Sequence, residues 1–332
     1  MRKFIAFVLF VLMSVYSGGP IVAKAEGPEE YRLNLVADEI DNINITVYLM
    51  PVKNFSPLYC GYTVSEGKEL DYIVYLMNTW KLYRYDKMAG MTDSDYYIMS
   101  VTKKNGEVMN IGYLFDTYVW IDDIQYRMEQ LDVDEFYYFV YFVYGLYTGD
   151  IVLPEEMTFE PSIWAKNDIS RAVEEGLVPE HSRIDYIRDI TRLEAAHITA
   201  NFININGVQR EYYITTPFRD INDSSVKYLW KQKIMIGKSD MMFCPYDLIN
   251  REEFAKVLYN TYEFLCGDVI QNVQDIQYND QNSISDWALE SVNQLTALGI
   301  FKGDEEGNFD PKKNITKEEV IIAMLRLNDM LN

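Results

Sequence analysis

The sequence predicts an α+β protein: a small N-terminal α+β domain followed by an all-α unit of three helix-loop-helix repeats. Three observations carry that prediction. β-Branched and aromatic runs crowd the stretch from residue 27 to 150, the segment Ser225 to Glu253 recurs 66 residues later, and a third, weaker copy lies upstream of both. Of the 332 residues, 48% are hydrophobic and 14% aromatic, which suits a folded chain with real cores. The formal net charge of -21 excludes nucleic acid as an expected partner, since the phosphate backbone demands a basic footprint.

The chain opens with Arg2 and Lys3, then the apolar run Phe4 to Tyr16, the breakers Gly18, Gly19 and Pro20, and the small-x-small sequence Ala23-Lys24-Ala25. This layout predicts a secretory leader over residues 1–25. The apolar run is short for a bilayer span, so no membrane contact is expected after cleavage. Cys60, Cys244 and Cys266 are too few and too scattered for a disulfide framework or a zinc site. A Cys244–Cys266 bridge stays open, with buried thiols the preferred reading.

Residues 27–154 make the expected α+β domain. Asn44 to Met50, Tyr96 to Thr102, Val108 to Leu114 and Tyr118 to Ile121 read as strands, with a hairpin turn at Asn105-Gly106. Lys68 to Leu82 and Val133 to Tyr147 read as helices. On the second of these, Tyr137, Tyr141 and Tyr144 share a face, which is either a core stripe or a binding surface. The partner of this domain is not readable from the sequence.

The repeats follow, over 160–204, 217–265 and 273–330. In the ungapped match Val226 meets Val292, Leu229 meets Leu295, Gly237 meets Gly303, Phe243 and Pro245 meet Phe309 and Pro311, and Glu252-Glu253 meets Glu318-Glu319. Upstream, Trp164-Ala165 matches Trp287-Ala288, and Ile190-Thr191-Arg192 matches Ile315-Thr316-Lys317. Each copy reads as helix, turn-rich loop, helix, and neither helix buries its face alone.

The second helix of each copy opens with Thr191-Arg192-Leu193-Glu194, Asn250-Arg251-Glu252-Glu253 or Thr316-Lys317-Glu318-Glu319. Thr or Asn followed by Glu three residues on is a capping box. The cation between them sits at the positive end of the helix dipole, where an acid is preferred, and it does so three times. A helix N-terminus with an adjacent Arg suits an anionic ligand. The alternative is pairing with the many nearby acids.

The succession Trp-Ala, helix, Gly-Ile or Gly-Leu, Phe-x-Pro loop and Ile-Thr-Arg-x-Glu resembles the S-layer homology domain, with Phe218-Arg219-Asp220-Ile221 and Val273-Gln274-Asp275-Ile276 resembling its entry segment. The resemblance covers about half of the chain. It implies anchoring of a secreted surface protein by non-covalent binding to secondary cell-wall polysaccharide, through an anionic, often pyruvylated sugar. The ligand-binding residues it implies are Arg192, Arg251 and Lys317 with Thr191, Asn250 and Thr316, the tryptophans Trp164 and Trp287, and Asp220 and Asp275. Departures are visible: Leu193, Glu252 and Glu318 replace a small Ala, the middle copy lacks the Trp, and Lys317 lacks the planar fork of Arg. Fewer than three competent sites are therefore expected, with Arg192 and Arg251 foremost.

No cofactor, metal or catalytic centre is expected. The two histidines, His181 and His197, belong to no hydrolase or metal motif, and Asp304 to Asp310 misses the calcium-loop spacing. The reading is a wall-anchored surface protein that is not an enzyme. Two alternatives remain open: a wall-associated glycan hydrolase with its activity in the N-terminal domain, or a secreted interaction protein with degenerate repeats.

Overall fold

The computed structural model describes residues 30–49, 58–84, 96–114, 118–122, 124–128, 133–153, 158–209, 215–267 and 277–332. The leader segment, Asp275 and the proposed boundary at Pro154 lie outside them, as does the side chain of Tyr137. The N-terminal part runs β1 (Glu30–Tyr31), β2 (Ile40–Leu49), β3 (Leu58–Val64), α1 (Gly67–Asn78), β4 (Leu82–Arg84), β5 (Tyr96–Lys103), β6 (Val108–Leu114), β7 (Tyr118–Ile121), β8 (Ile124–Arg127) and α2 (Val133–Thr148). Helices α3 (Lys166–Glu174), α4 (Arg192–Ile205), α5 (Ser224–Lys231), α6 (Arg251–Cys266), α7 (Asp286–Ala297) and α8 (Lys317–Leu331) follow.

The eight strands form one sheet in the order β1-β4-β8-β7-β6-β5-β2-β3, every neighbouring pair antiparallel. Period-two alternation sets its faces: Ile43, Ile45, Met99, Val101, Ile111 and Val119 point inward and are buried, while Asn44 on β2 is exposed. The β5–β6 hairpin turns at Asn105-Gly106, with Gly106 at φ 88°, a conformation that suits glycine.

Helix α2 explains how the two parts of the chain meet. Five consecutive residues, Phe139, Val140, Tyr141, Phe142 and Val143, are each at most 3% exposed, so the helix is enclosed on every side. Phe139 meets the fully buried Trp80 edge-on at 5.1 Å, and Phe142 stacks on Tyr72 of α1 at 4.5 Å. From the other side of the helix, the Tyr141 hydroxyl accepts from the Asn222 N–H at 2.5 Å, and the Tyr246 hydroxyl donates to the Tyr141 carbonyl at 2.8 Å. One continuous core therefore runs from Leu33 to Leu327.

This corrects the expected fold class, a small α+β domain followed by a separate all-α unit. The N-terminal part is an eight-stranded antiparallel sheet with helices elsewhere, and among the described residues no self-contained all-helical repeat unit stands apart from it. The physical reasons are specific. Strands β1, β4 and β8 are two to four residues long and carry no readable period, and Cys60-Gly61 interrupts the apolar alternation of β3. The continuous apolar run of α2 carries no sign of which two elements enclose it. The C-terminal helices are also joined by short β-bridges, Asp189 with Thr316, Thr191 with Leu248 and Asn250 with Asn314.

Because the core is shared, both parts should unfold together. Tyr141→Phe leaves the half-buried Asn222 N–H without its acceptor and should cost about 1 kcal/mol. Urea titrations followed by tryptophan fluorescence and by far-UV circular dichroism should shift by the same amount.

Candidate functional site

Helices α4, α6 and α8 begin at equivalent points of a closed ring. The Ile190 N–H donates to the Ile315 carbonyl at 3.0 Å, Ile315 to Ile249 at 3.1 Å, and Ile249 back to Ile190 at 3.2 Å. The next turn repeats the cycle: Arg192 donates to Asp247, Arg251 to Lys313 and Lys317 to Arg188, all at 2.9–3.0 Å. Each helix start thus rests on the loop of a neighbouring segment.

Locally, all three starts carry complete capping boxes. Thr191 pairs reciprocally with Glu194, Asn250 with Glu253 and Thr316 with Glu319. The cations just behind the caps reach away from their own helices. Arg192 donates from Nε to the Phe243 carbonyl at 3.0 Å and from Nη2 to the Ile236 carbonyl at 2.7 Å. Arg251 does the same to the Phe309 and Lys302 carbonyls at 2.8 and 3.3 Å, and its Nη1 meets Glu319 at 3.1 Å. Lys317 donates to the Ile184 carbonyl at 3.0 Å. An acid-preferring position tolerates a cation because the charge is delivered to carbonyl dipoles of another loop. The accepting loops share a shape: Cys244, Asp310 and Asp185, each following an accepting residue, adopt φ of 58°, 57° and 52°.

Asp220 fixes one of these loops by accepting from the Phe243 and Cys244 N–H groups at 2.9 and 2.7 Å. Asp280 does the same for Phe309 and Asp310, both at 2.8 Å. Sequence reasoning missed Asp280. The signal was Tyr278-Asn279-Asp280, the aromatic-x-Asp pattern of Phe218-Arg219-Asp220, hidden by a change in spacing to the following helix. Glu252 and Glu318, which stand where a small residue was expected, also have structural work. Glu252 accepts from the N–H and hydroxyl of Ser285, which immediately precedes α7, and Glu318 accepts from those of Ser162.

The three starts differ in access. Lys317 is fully buried; it pairs with Glu194 at 3.0 Å, which also meets Arg188 at 2.5 Å and the Tyr138 hydroxyl at 3.2 Å. Tyr138 belongs to α2, so the N-terminal part covers this start. Burial alone would raise the Glu194 carboxyl, but Arg188 and Lys317 hold it well below the usual carboxylate range. Arg192 is buried as well, with Trp287 on α7 about half exposed. At the third start lies a cavity of about 200 Å³, lined by Arg251, Trp164, Lys302, Gly303, Lys313, Glu319 and Arg326 among others. Trp164 is 62% exposed, so neither tryptophan belongs to the core. Gly303 is required here, since a Cβ would lie 2.9 Å from the Asn308 carbonyl and from the Tyr278 ring. Arg326 donates to the Ile300 carbonyl at 2.8 Å, and Lys302 and Lys313 are exposed at the rim.

Cys244 and Cys266 are free thiols, and Cys266 is exposed rather than buried. Among the described residues no cluster of His, Cys, Asp and Glu is arranged to hold a metal, and no helix is long and apolar enough to cross a membrane.

Glu194 yields a pH prediction. A carboxyl held below its unfolded value contributes stability that is present above that value and lost as the pH falls through the folded one. Urea titrations between about pH 7 and about pH 3 should show the native chain losing stability on acidification, with a flatter profile for Glu194→Gln. Lys317→Met, which leaves Arg188 as the ion-pair partner of the buried Glu194 carboxylate, should cost about 1.5–3 kcal/mol at neutral pH.

Comparison with known proteins places this geometry. Residues 277–321, which include Asp280, Trp287, the cavity loop and the Thr316-Lys317 helix start, match the S-layer homology domain. The chain is 27% identical over 133 residues to an endoglucanase of Bacillus sp. strain KSM-635, covering 39% of this chain and 14% of that protein. It is 29% identical over 192 residues to the exoglucanase XynX of Acetivibrio thermocellus, covering 54% and 17%. It is 36% identical over 59 residues to the surface-layer 125 kDa protein of Lysinibacillus sphaericus, covering 18% and 5%. The chain thus spans less than a fifth of the length of each of these relatives. It is a secreted, cell-wall-associated protein that carries an S-layer homology domain at residues 277–321.

Proposed function

We propose that the protein anchors itself to the cell wall by binding an acidic cell-wall polysaccharide in the cavity beside Trp164 and Arg251. One observation carries this reading: a chain of net charge -21 gathers Arg251, Lys302, Lys313 and Arg326 around a single cavity. The lining also carries three acids, Asp304, Asp310 and Glu319. Glu319 caps α8 and pairs with Arg251, and Asp304 accepts from the Glu306 and Asn308 N–H groups of its own turn. Lys302 and Lys313 are exposed in this lining, where an anion gains from both charges.

The exposed indole of Trp164 offers a flat apolar face for the C–H side of a sugar ring, and the cations beside it suit a carboxylate on that sugar. A pyruvate ketal is such a group. Arg251 shapes the cavity floor through its bonds to the Phe309 and Lys302 carbonyls. The equivalent position beside Arg192 replaces Lys302 and Asn308 with Ile236 and Met242, both exposed, and so offers fewer charges to an anion. The start at Lys317 is closed by Tyr138. One charged cavity of three equivalent positions supports binding at the Trp164 site first. The N-terminal sheet is then the part displayed.

Co-sedimentation of the full chain with purified walls tests the reading. Binding should disappear when the wall polysaccharide is chemically removed, and it should weaken as salt rises. Trp164→Ala and the pair Lys302→Ala, Lys313→Ala should each weaken it by about ten- to a hundredfold, or about 1.4–2.8 kcal/mol, with the fold unchanged. These side chains are chosen because removing Arg251 would also break the ring. Equal pelleting with stripped walls would remove the polysaccharide from the proposal.

A further inference from the structure

The three copies give one duty to equivalent side chains of their second helices. These stand at a fixed register from the helix-opening cation: Asn201 after Arg192, Asn260 after Arg251 and Arg326 after Lys317. Asn201 Nδ2 donates to the Gly176 and Leu177 carbonyls at 2.9 and 3.0 Å. Asn260 Nδ2 donates to the Lys233 and Ile234 carbonyls at 3.2 and 3.1 Å. Arg326 Nη1 donates to the Ile300 carbonyl at 2.8 Å, and Ile300 is the residue that meets Ile234 in the ungapped repeat match. Each side chain ties the second helix of its copy to the turn that ends the first.

An amide is enough for that duty. Its two N–H hydrogens reach both carbonyls, and no donor is left over. A guanidinium brings five N–H donors and a permanent charge, and the tie to Ile300 uses one of them. Among the described residues Arg326 makes no ion pair, and it stands half-buried in the wall of the cavity at the Arg251 start. Arg251 is the opposite case. Its Nε, Nη1 and Nη2 are engaged by the Phe309 carbonyl, Glu319 and the Lys302 carbonyl, so its charge is answered within the protein.

The charge balance of the cavity gives the surplus a use. Four cations and three acids line it, and Arg326 supplies the excess. With Asn in that place, as at Asn201 and Asn260, the lining would hold equal numbers of each sign. The exchange also coincides with the rim: the copy that carries Asn260 has Ile236 and Met242 where the cavity has Lys302 and Asn308. A planar fork of N–H groups matches the two oxygens of a carboxylate, which an ammonium meets only as a point charge.

We propose that Arg326 is the carboxylate-selecting residue of this cavity: one N–H holds the Ile300 turn, and the rest of the guanidinium pairs with the acidic group of the wall glycan. The inference rests on the cavity being the wall-binding site, and it names the side chain that sets which sugar the cavity accepts.

Co-sedimentation of the full chain with two preparations of purified walls tests it. One preparation is native, and in the other carbodiimide and methylamine have converted the carboxylates to neutral amides. The native chain should bind amidated walls about thirtyfold more weakly than native ones. Arg326→Asn keeps the tie to the turn and therefore the urea midpoint. It should bind native walls about tenfold more weakly, and amidation should then cost it only about threefold more, the share of the lysines. Arg326→Lys keeps the charge without the fork and should lose about threefold on native walls. It carries the test alone should Arg326→Asn fail to fold. Native-like binding by either variant, or a loss on amidation as large as that of the native chain, overturns the role of Arg326 and leaves the cavity in place. A native chain that pellets with neither preparation overturns the cavity reading and this inference with it.

Discussion

The closed circle of backbone hydrogen bonds through Ile190, Ile249 and Ile315 is the constraint on which the C-terminal part depends. Each of these residues is buried, at 0% exposure, so each polar group in the circle must find its partner there. A closed circle also fixes relative position. Once Ile249 bonds to Ile190 and Ile315 to Ile249, the third link forms only if all three helix starts are mutually placed. The cations extend the same logic outward, each side chain holding the carbonyl of the adjoining loop.

From that circle the differences among the three positions follow. The Lys317 position faces α2, and its lysine, Glu194, Arg188 and the Tyr138 hydroxyl form one buried network in which every charge has a partner. The Arg251 position faces solvent and keeps a cavity with lysines at its rim. The same local motif is thus structural at one position and open to a ligand at another. What decides between these roles is the neighbour supplied by the rest of the chain, which is α2 in one case and the Trp164 turn in the other.

Much of this was legible in the sequence, and the limits were physical. Helix starts were readable because a capping box spans three residues and obeys local rules; the boxes at Thr191, Asn250 and Thr316 form as that spacing requires. Strands β5, β6 and β7 were readable from β-branched and aromatic runs, whereas β1, β4 and β8 are too short to show a period. Helix α2 carried a misleading signal. Its continuous apolar run recorded burial from two sides, and a single chain segment does not say which two elements enclose it.

By itself the sequence determined the export-like N-terminus as an expectation, the acidic balance, the internal recurrence, the capped helix starts and the type of each cation. Only the tertiary structure decided where those cations go. Arg192 and Phe243 are 51 residues apart, Arg251 and Phe309 58, and Lys317 and Ile184 133. A cap is satisfied within one turn of its own helix, so composition and spacing specify it. A buried guanidinium or ammonium needs acceptors that the chain delivers only after the ring has closed. The same holds for His181 and His197, which are 16 residues apart and unremarkable in the sequence until folding brings their ring nitrogens to 3.3 Å.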